Sequence, residues 1–209
     1  MSSETVTKRE PKSNGVSFLA SCGRQKAKSR EELFVYVKCY VMEYMEKFDA
    51  SHDYQHIGRV LLLCEYILDT EYKNPPEGFN SDAVILAAYL HEIGDRKYAT
   101  PGQHSEAHIA ELLVELGADV MLAVKVQLIV DHISYSTEVK NPEAVESALL
   151  SHPELAVVQD ADRLEALGAV GIARAFTFGG AMRPETKLEG TLEHFTEKLE
   201  KLEGMMKVW

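Results

Sequence analysis

An unbroken apolar run, Ala83-Val84-Ile85-Leu86-Ala87-Ala88-Tyr89-Leu90, closes directly on His91-Glu92-Ile93-Gly94-Asp95. Apolar on all sides, the run reads as a buried helix, begun by Ser81 or Asp82 and stopped by Gly94. An imidazole and a carboxylate then stand side by side at the end of a core helix, with Asp95 one turn beyond His91. At a frayed last turn His91 and Glu92 can bend into one cleft, although they start about 100° apart around the axis. Buried polar groups need partners, and a metal ion is one partner that satisfies all three. A cap or a solvated helix end is the simpler account of the pair taken alone.

The rest of the chain is patterned for helices. Ser29 and Glu32 match a capping box ahead of Leu33, Val37, Tyr40, Val41, Tyr44 and Phe48 on one face. In the next helical stretch His52 and His56 lie one turn apart and face the same way, before Leu61, Cys64, Ile67 and Leu68; Asn74-Pro75-Pro76-Glu77-Gly78 is a loop. After a break at Thr100-Pro101-Gly102, a helix runs from Ser105 to Leu116 with His104 and His108 at its start. Asp119 caps another, which ends near Asp131-His132-Ile133-Ser134, and Asn141-Pro142 opens a short one. From Pro153 to Phe176 the small residues Ala161, Ala166, Gly168, Ala169, Gly171 and Ala173 suggest one closely packed helix. Asp160, Asp162 and Arg163 interrupt it, and ionised groups in a core are costly unless paired or ligating. Gly179-Gly180 reads as a turn, and residues 191 to 207 as an amphipathic closing helix on Leu192, Phe195, Leu199, Leu202 and Met206. With no alternating strand pattern, the expected architecture is all-α, a single multi-helix domain.

Composition narrows the function. At 209 residues and 45% hydrophobic, the chain can build one sizeable core. A net charge of −11 argues against a DNA-binding surface spread over the molecule and suits a divalent-cation site. Cys22, Cys39 and Cys64 form no CxxC pair and are odd in number, so a disulfide framework is not expected and a reducing compartment is. No run approaches a membrane span, and the start of the chain holds no apolar signal core. Residues 1–28, basic but for Glu4 and Glu10, read as a flexible lead to a domain at 29–209, and the two glutamates weigh against a transit peptide. The expectation is a soluble cytoplasmic or nuclear protein.

His56, His91-Glu92 and Asp162 fall on three different helices, and each breaks an apolar face. Metal-dependent hydrolases need such convergence of nitrogen and oxygen ligands, with a position left open for water. From about residue 30 to 207 the chain resembles the HD-superfamily phosphohydrolases: His56-Ile57-Gly58-Arg59-Val60 matches their His-x-x-Arg-Val, Leu90-His91-Glu92-Ile93-Gly94-Asp95 their Leu-His-Asp-Ile-Gly-Asp, and Asp162 their distant Asp. Val158-Gln159-Asp160-Ala161-Asp162-Arg163-Leu164 and the Gly-Ala-rich stretch after it are similar to one branch, the small single-domain nucleoside-triphosphate pyrophosphohydrolases.

The resemblance implies an HD-domain fold and a divalent ion (Mn, Mg, Fe or another) on His56, His91, Glu92 and Asp162. Glu92 departs from the family's Asp and is longer by about one C–C bond, ~1.5 Å. Relatives tend to continue by another helix past the position of Trp209, which implies that part of the core edge is absent. Asp95 takes the place of an acidic residue that in some relatives orients or deprotonates the attacking water. His52, one turn before a ligand, joins it as a catalytic candidate, and Arg59, Lys97, His132 and Arg163 are candidates for substrate phosphate. A solvated charge accounts equally well for Arg59 and Lys97. In dinuclear members two further histidines hold a second ion; here these would be His108 and His132, and a di-iron oxygenase can be built on such a site. The implied substrate is a nucleotide or another phosphorylated small molecule, with pyrophosphohydrolysis of nucleoside triphosphates favoured over phosphomonoester cleavage. The rivals are the oxygenase and a nucleotide-binding module attenuated by Glu92. A homo-oligomer is compatible with all of them.

Overall fold

In the computed structural model, residues 26–93 and 108–208 are described, and among them ten α-helices follow one another without a strand. Ser29 opens α1 (Arg30–Met45): its hydroxyl accepts from the Glu32 N–H, while the Glu32 carboxylate reaches back to the Lys28 N–H. Asp53 caps α2 (Tyr54–Glu71), and Asn80, rather than Ser81 or Asp82, caps α3 (Ser81–Leu90). Then come α4 (His108–Leu116), α5 (Val120–Ile133) capped by Asp119, and α6 (Tyr135–Lys140) capped by Ser134. Asn141 and Pro142 start α7 (Pro142–Ser151) as their types predict. The chain continues through α8 (Glu154–Glu165), α9 (Gly168–Met182) and α10 (Lys187–Glu197) to 3-10 turns at Leu199–Lys201 and Glu203–Met205.

Helix α3 lies at the centre because it has no polar face to give to water. Ala83, Val84, Leu86, Ala87, Ala88 and Leu90 are all buried, and α1, α2, α5 and α8 pack around them. Its alanines let those neighbours come close. Each Leu or Ile fully buried in such a core contributes about 1.5–3 kcal/mol, so Ile57, Leu86, Leu90 and Leu155 fix how the helices sit. Helix α8 packs in turn on α2, α3, α5 and α7, which brings the start of α2, the end of α3 and the middle of α8 together. Among the described residues no helix is long and apolar enough to cross a membrane.

Several expectations need correction. The stretch from Pro153 to Phe176 is two helices, broken at Ala166-Leu167, where Gly168 takes a left-handed φ of 61°. Any side chain at Gly171 would run into the Ala166 carbonyl, so the break stays tight. Gly179-Gly180 is not a turn; both lie inside α9, and Gly179 faces Thr191 of α10 with no room for a Cβ. The glycine there serves a helix crossing. The closing helix starts earlier, at Lys187, and stops at Glu197, after which the chain tightens into 3-10 turns that bury Leu199 and Leu202. His52 precedes the Asp53 cap and so is not on α2. The basic lead falls almost wholly outside the described residues, but its last part is tied down: the Ala27 N–H donates to the Leu116 carbonyl at 2.8 Å.

Candidate metal centre

Asp53 accepts from the N–H groups of Gln55 and His56, which starts α2 and sets His56 in its first turn, fully buried. Helix α3 ends at Leu90, and the turn that follows delivers His91 and Glu92. Helix α8 supplies Asp162, whose side chain is 31% exposed and borders a cleft. The Nε2 atoms of His56 and His91 lie 3.1 Å apart. Glu92 Oε1 is 3.4 Å from the first and 3.7 Å from the second; Asp162 Oδ1 is 3.6 Å and 3.8 Å away.

The tautomers decide what this quartet can hold. His91 Nδ1 lies 2.8 Å from the Ala88 carbonyl oxygen, which can only accept, so Nδ1 carries the proton. His56 Nδ1 lies 3.1 Å from Glu165 Oε2, off the straight hydrogen-bond line, and that carboxylate also only accepts. Both Nε2 atoms therefore turn lone pairs toward each other and toward two carboxylates. Four acceptors converge, and only a proton or a cation satisfies them. Burial by itself would lower the His56 pKa, but Glu165 and Glu92 outweigh it and hold the ring above its ordinary value. Burial likewise opposes ionisation of Glu92, yet His56 and His91 keep its carboxyl well below the usual range. Asp162 is lowered in the same way, against burial, by His91 and His56.

A divalent ion fits this donor set. Histidine nitrogens and carboxylate oxygens about 2.0–2.2 Å from one ion lie roughly 3–3.5 Å from one another, close to the spacings found. His56, His91 and Glu92 each offer an atom within 4.8 Å of the other two. Glu92 Oε2 is buried and, among the described residues, has no hydrogen-bond partner.

Glu165, which sequence reasoning missed, organises the surroundings. Its Oε1 accepts from Arg59 Nε at 2.6 Å, and its Oε2 pairs with Arg174 Nη1 as well as facing His56. Arg174 Nε donates to the Ser51 carbonyl at 2.8 Å, so one buried carboxylate ties α2, α8, α9 and the loop before α2. A carboxylate behind a ligating histidine fixes its tautomer and orientation. The signal in the sequence was a glutamate one turn after Asp162 in a helix that is otherwise buried.

The remaining candidates are placed differently. Arg59 is held by Glu165, while Arg163 is 3% exposed, donates from Nη1 to the Met205 carbonyl at 2.6 Å and pairs with Glu138. His52 Nδ1 meets Ser51 Oγ at 2.6 Å, and its ring stands edge-on to His56 and to Phe178. His132 Nδ1 is 2.8 Å from the Leu128 carbonyl, and His108 Nε2 is 3.2 Å from the Ile93 carbonyl. Among the described residues neither belongs to a group of three ligand-type side chains. Asp95 and Lys97 lie outside the described residues.

The cleft beside the quartet has two lobes that share Glu92, Asp162, Ala166 and Lys198. One runs past His91 to Ser134, Tyr135 and Arg163; the other past His52 to Arg174, Phe178 and Leu199. Lys198 carries no signal of its own in the sequence, where it sits within an ordinary amphipathic pattern.

Comparison with known proteins gives concordant results. The family model of the HD domain matches residues 53–167. The uncharacterized protein YpgQ of Bacillus subtilis (strain 168) is 31% identical over 177 residues, which cover 81% of this chain and 78% of that protein. The crystal structure of B. subtilis YpgQ in complex with ADP aligns with a TM-score of 0.60 at 29% identity, covering 85% of this chain and 81% of the other. An HD-superfamily hydrolase from Bacillus thuringiensis aligns with a TM-score of 0.58 at 29% identity, over 86% of this chain and 85% of the other.

Proposed function

The chain belongs to the HD domain family, and we propose that it is a divalent-metal-dependent phosphohydrolase that converts a nucleoside triphosphate to the monophosphate and pyrophosphate. The observation that carries this reading is the facing pair of histidines, each with an acceptor oxygen behind Nδ1 and Nε2 turned to the other beside two carboxylates. That a similar protein was solved with ADP supports a nucleotide as substrate. In the reaction, the oxygen of water bonds to the α-phosphorus, the bond from that phosphorus to the bridging oxygen breaks, and pyrophosphate leaves with the electron pair. The proton lost by water passes to a carboxylate.

His56, His91, Glu92 and Asp162 would hold the ion, which when bound supplies Lewis acidity and lowers the pKa of water toward neutrality. The Ala88 carbonyl holds the His91 ring, and the Glu165 carboxylate lies 3.1 Å behind the His56 ring. Arg59 and Arg174 balance the Glu165 charge, leaving the carboxylate fixed as an acceptor. Asp162, open on its cleft side, borders the substrate. Asp95 is assigned as the carboxylate that takes the proton from water; Asp95→Asn is expected to lower turnover while metal content stays unchanged.

The deciding experiment measures metal content and assays a nucleotide panel with added Mn²⁺ or Mg²⁺. Metal-dependent pyrophosphate release from triphosphates is the expected result. Phosphate release from monophosphates would replace it with a phosphomonoesterase. One bound metal without turnover would leave a binding module, and two bound irons with oxygen consumption an oxygenase.

A further inference from the structure

We propose that the two lobes divide the substrate between them, with the nucleoside on the Phe178 side, the pyrophosphate on the Tyr135 side, and Lys198 placed over the junction to hold the departing phosphates. This rests on the pyrophosphohydrolase reading above. Cleavage at the α-phosphorus requires that atom to sit at the metal residues, with the nucleoside leaving in one direction and the β- and γ-phosphates in another. A cleft that opens on two sides of Glu92 and Asp162 provides both directions.

The walls differ in chemistry. Gly171, Ala175 and Phe178 lie at spacings of four and three along α9, so they form one stripe of that helix and line the same lobe, with Leu199 also on its wall. Ala175 is small and Gly171 packs directly on the Ala166 carbonyl, so the stripe presents a low apolar surface to a flat base. The Phe178 ring is held ready: His52 packs edge-on at 5.4 Å between centroids, and the Arg183 guanidinium lies over the ring at 5.5 Å. A pre-positioned aromatic stacks on any base without a hydrogen-bond code. The other lobe is lined by Ser134 and Tyr135, whose hydroxyls are engaged in capping α6 and in a 3.4 Å hydrogen bond to the Glu197 carbonyl, and by Lys198. Lys198 Nζ lies 5.4 Å from the centre of the Tyr135 ring, which puts the ammonium on that side. A cation there matches a pyrophosphate, whose charge grows as the bond to the α-phosphorus breaks.

Calorimetric titration of the Mn²⁺-loaded protein with α,β-methylene-ATP and with inorganic tripolyphosphate separates the lobes, since only the first probe carries a base. Phe178→Leu is expected to weaken α,β-methylene-ATP about tenfold, in line with the loss of one base–aromatic stack, and to leave tripolyphosphate within about twofold. Phe178→Tyr should restore the nucleotide. Lys198→Gln should weaken both probes by a similar factor. Equal losses on both probes for Phe178→Leu, or no loss on either, overturns the division; so does base dependence that follows Tyr135→Leu instead. If the unaltered, metal-loaded protein binds neither probe, the phosphohydrolase reading itself falls, a result distinct from any of these.

Discussion

Two sides of α8 carry the same residue types to opposite ends. On the cleft side Asp162 and Glu165 face His56, and the polar atoms that meet there at the quartet are acceptors. On the other side Asp160 accepts from the backbone N–H groups of Lys207 at 3.0 and 2.8 Å and of Val208 at 2.8 Å. Arg163 joins the Met205 carbonyl and Glu138, and Lys207 Nζ reaches Glu138 at 2.8 Å. There donors and acceptors match, and the network closes on itself. A buried charge therefore says little about function; the balance of donors and acceptors around it says much more. The balanced side holds the C-terminal segment against the core, and the unbalanced side calls for a cation.

Breaking the unbalanced side should give the largest change. His91→Ala is expected to abolish stoichiometric metal binding and to lower activity by more than about 100-fold, beyond the range for losing an outer partner of a ligand. The metal-free protein should lose little stability, because one of the facing acceptors has gone. Metal analysis and thermal melts with and without Mn²⁺ measure both; full metal content in His91→Ala would remove His91 from the site. On the balanced side Arg163→Met should do the reverse. It strands the Met205 carbonyl and part of Glu138, for a loss of roughly 3 kcal/mol in unfolding free energy, with metal content per chain unchanged. If Arg163→Met sheds metal, the two networks are coupled and the contrast fails.

Glu165 tests the boundary between the two kinds of network, since it is itself balanced by Arg59 and Arg174 yet backs His56 of the unbalanced set. Glu165→Gln keeps the shape but offers His56 Nδ1 a weaker acceptor, and metal affinity should fall about 10–100-fold. Titration of the metal-free protein reads this directly, and an unchanged affinity would make Glu165 a fold residue only.

The sequence made the fold class and the meeting of His56, His91, Glu92 and Asp162 legible for one reason: each interrupts an apolar helix face, and such interruptions stand out locally. What it hid depended on partners distant in the chain. Asp160 and Arg163 looked like companions of Asp162, but their partners lie in the segment around Met205 to Val208, which no local pattern reveals. Glu165 looked like the ordinary charged end of a helix until Arg59 and Arg174 came to it from other elements. The four-residue spacing suggests that His52 shares the helix of His56, but Asp53 is the better cap and starts the helix after it. Gly179-Gly180 carries a turn signature, yet a close helix crossing selects the same residue.

The finest test of the contrast is Glu92→Asp, which keeps the charge and changes only its reach. The turn that carries Glu92 is fixed on both sides: the Ile93 N–H donates to the Leu90 carbonyl at 2.9 Å, and Ile93 itself is buried. The backbone cannot advance to make up for a side chain shorter by ~1.5 Å. The carboxylate would then withdraw from the 3.4 and 3.7 Å separations that Glu92 Oε1 keeps from the two histidines. Metal affinity is expected to fall about tenfold, equivalent to ~1.4 kcal/mol, with turnover at saturating metal little changed. That outcome would mean the site is fitted to glutamate, and that the longer side chain is part of how the acceptors converge. A gain in turnover at saturating metal would mean the opposite: the glutamate restrains the site, and the chain acts chiefly by binding rather than by turnover.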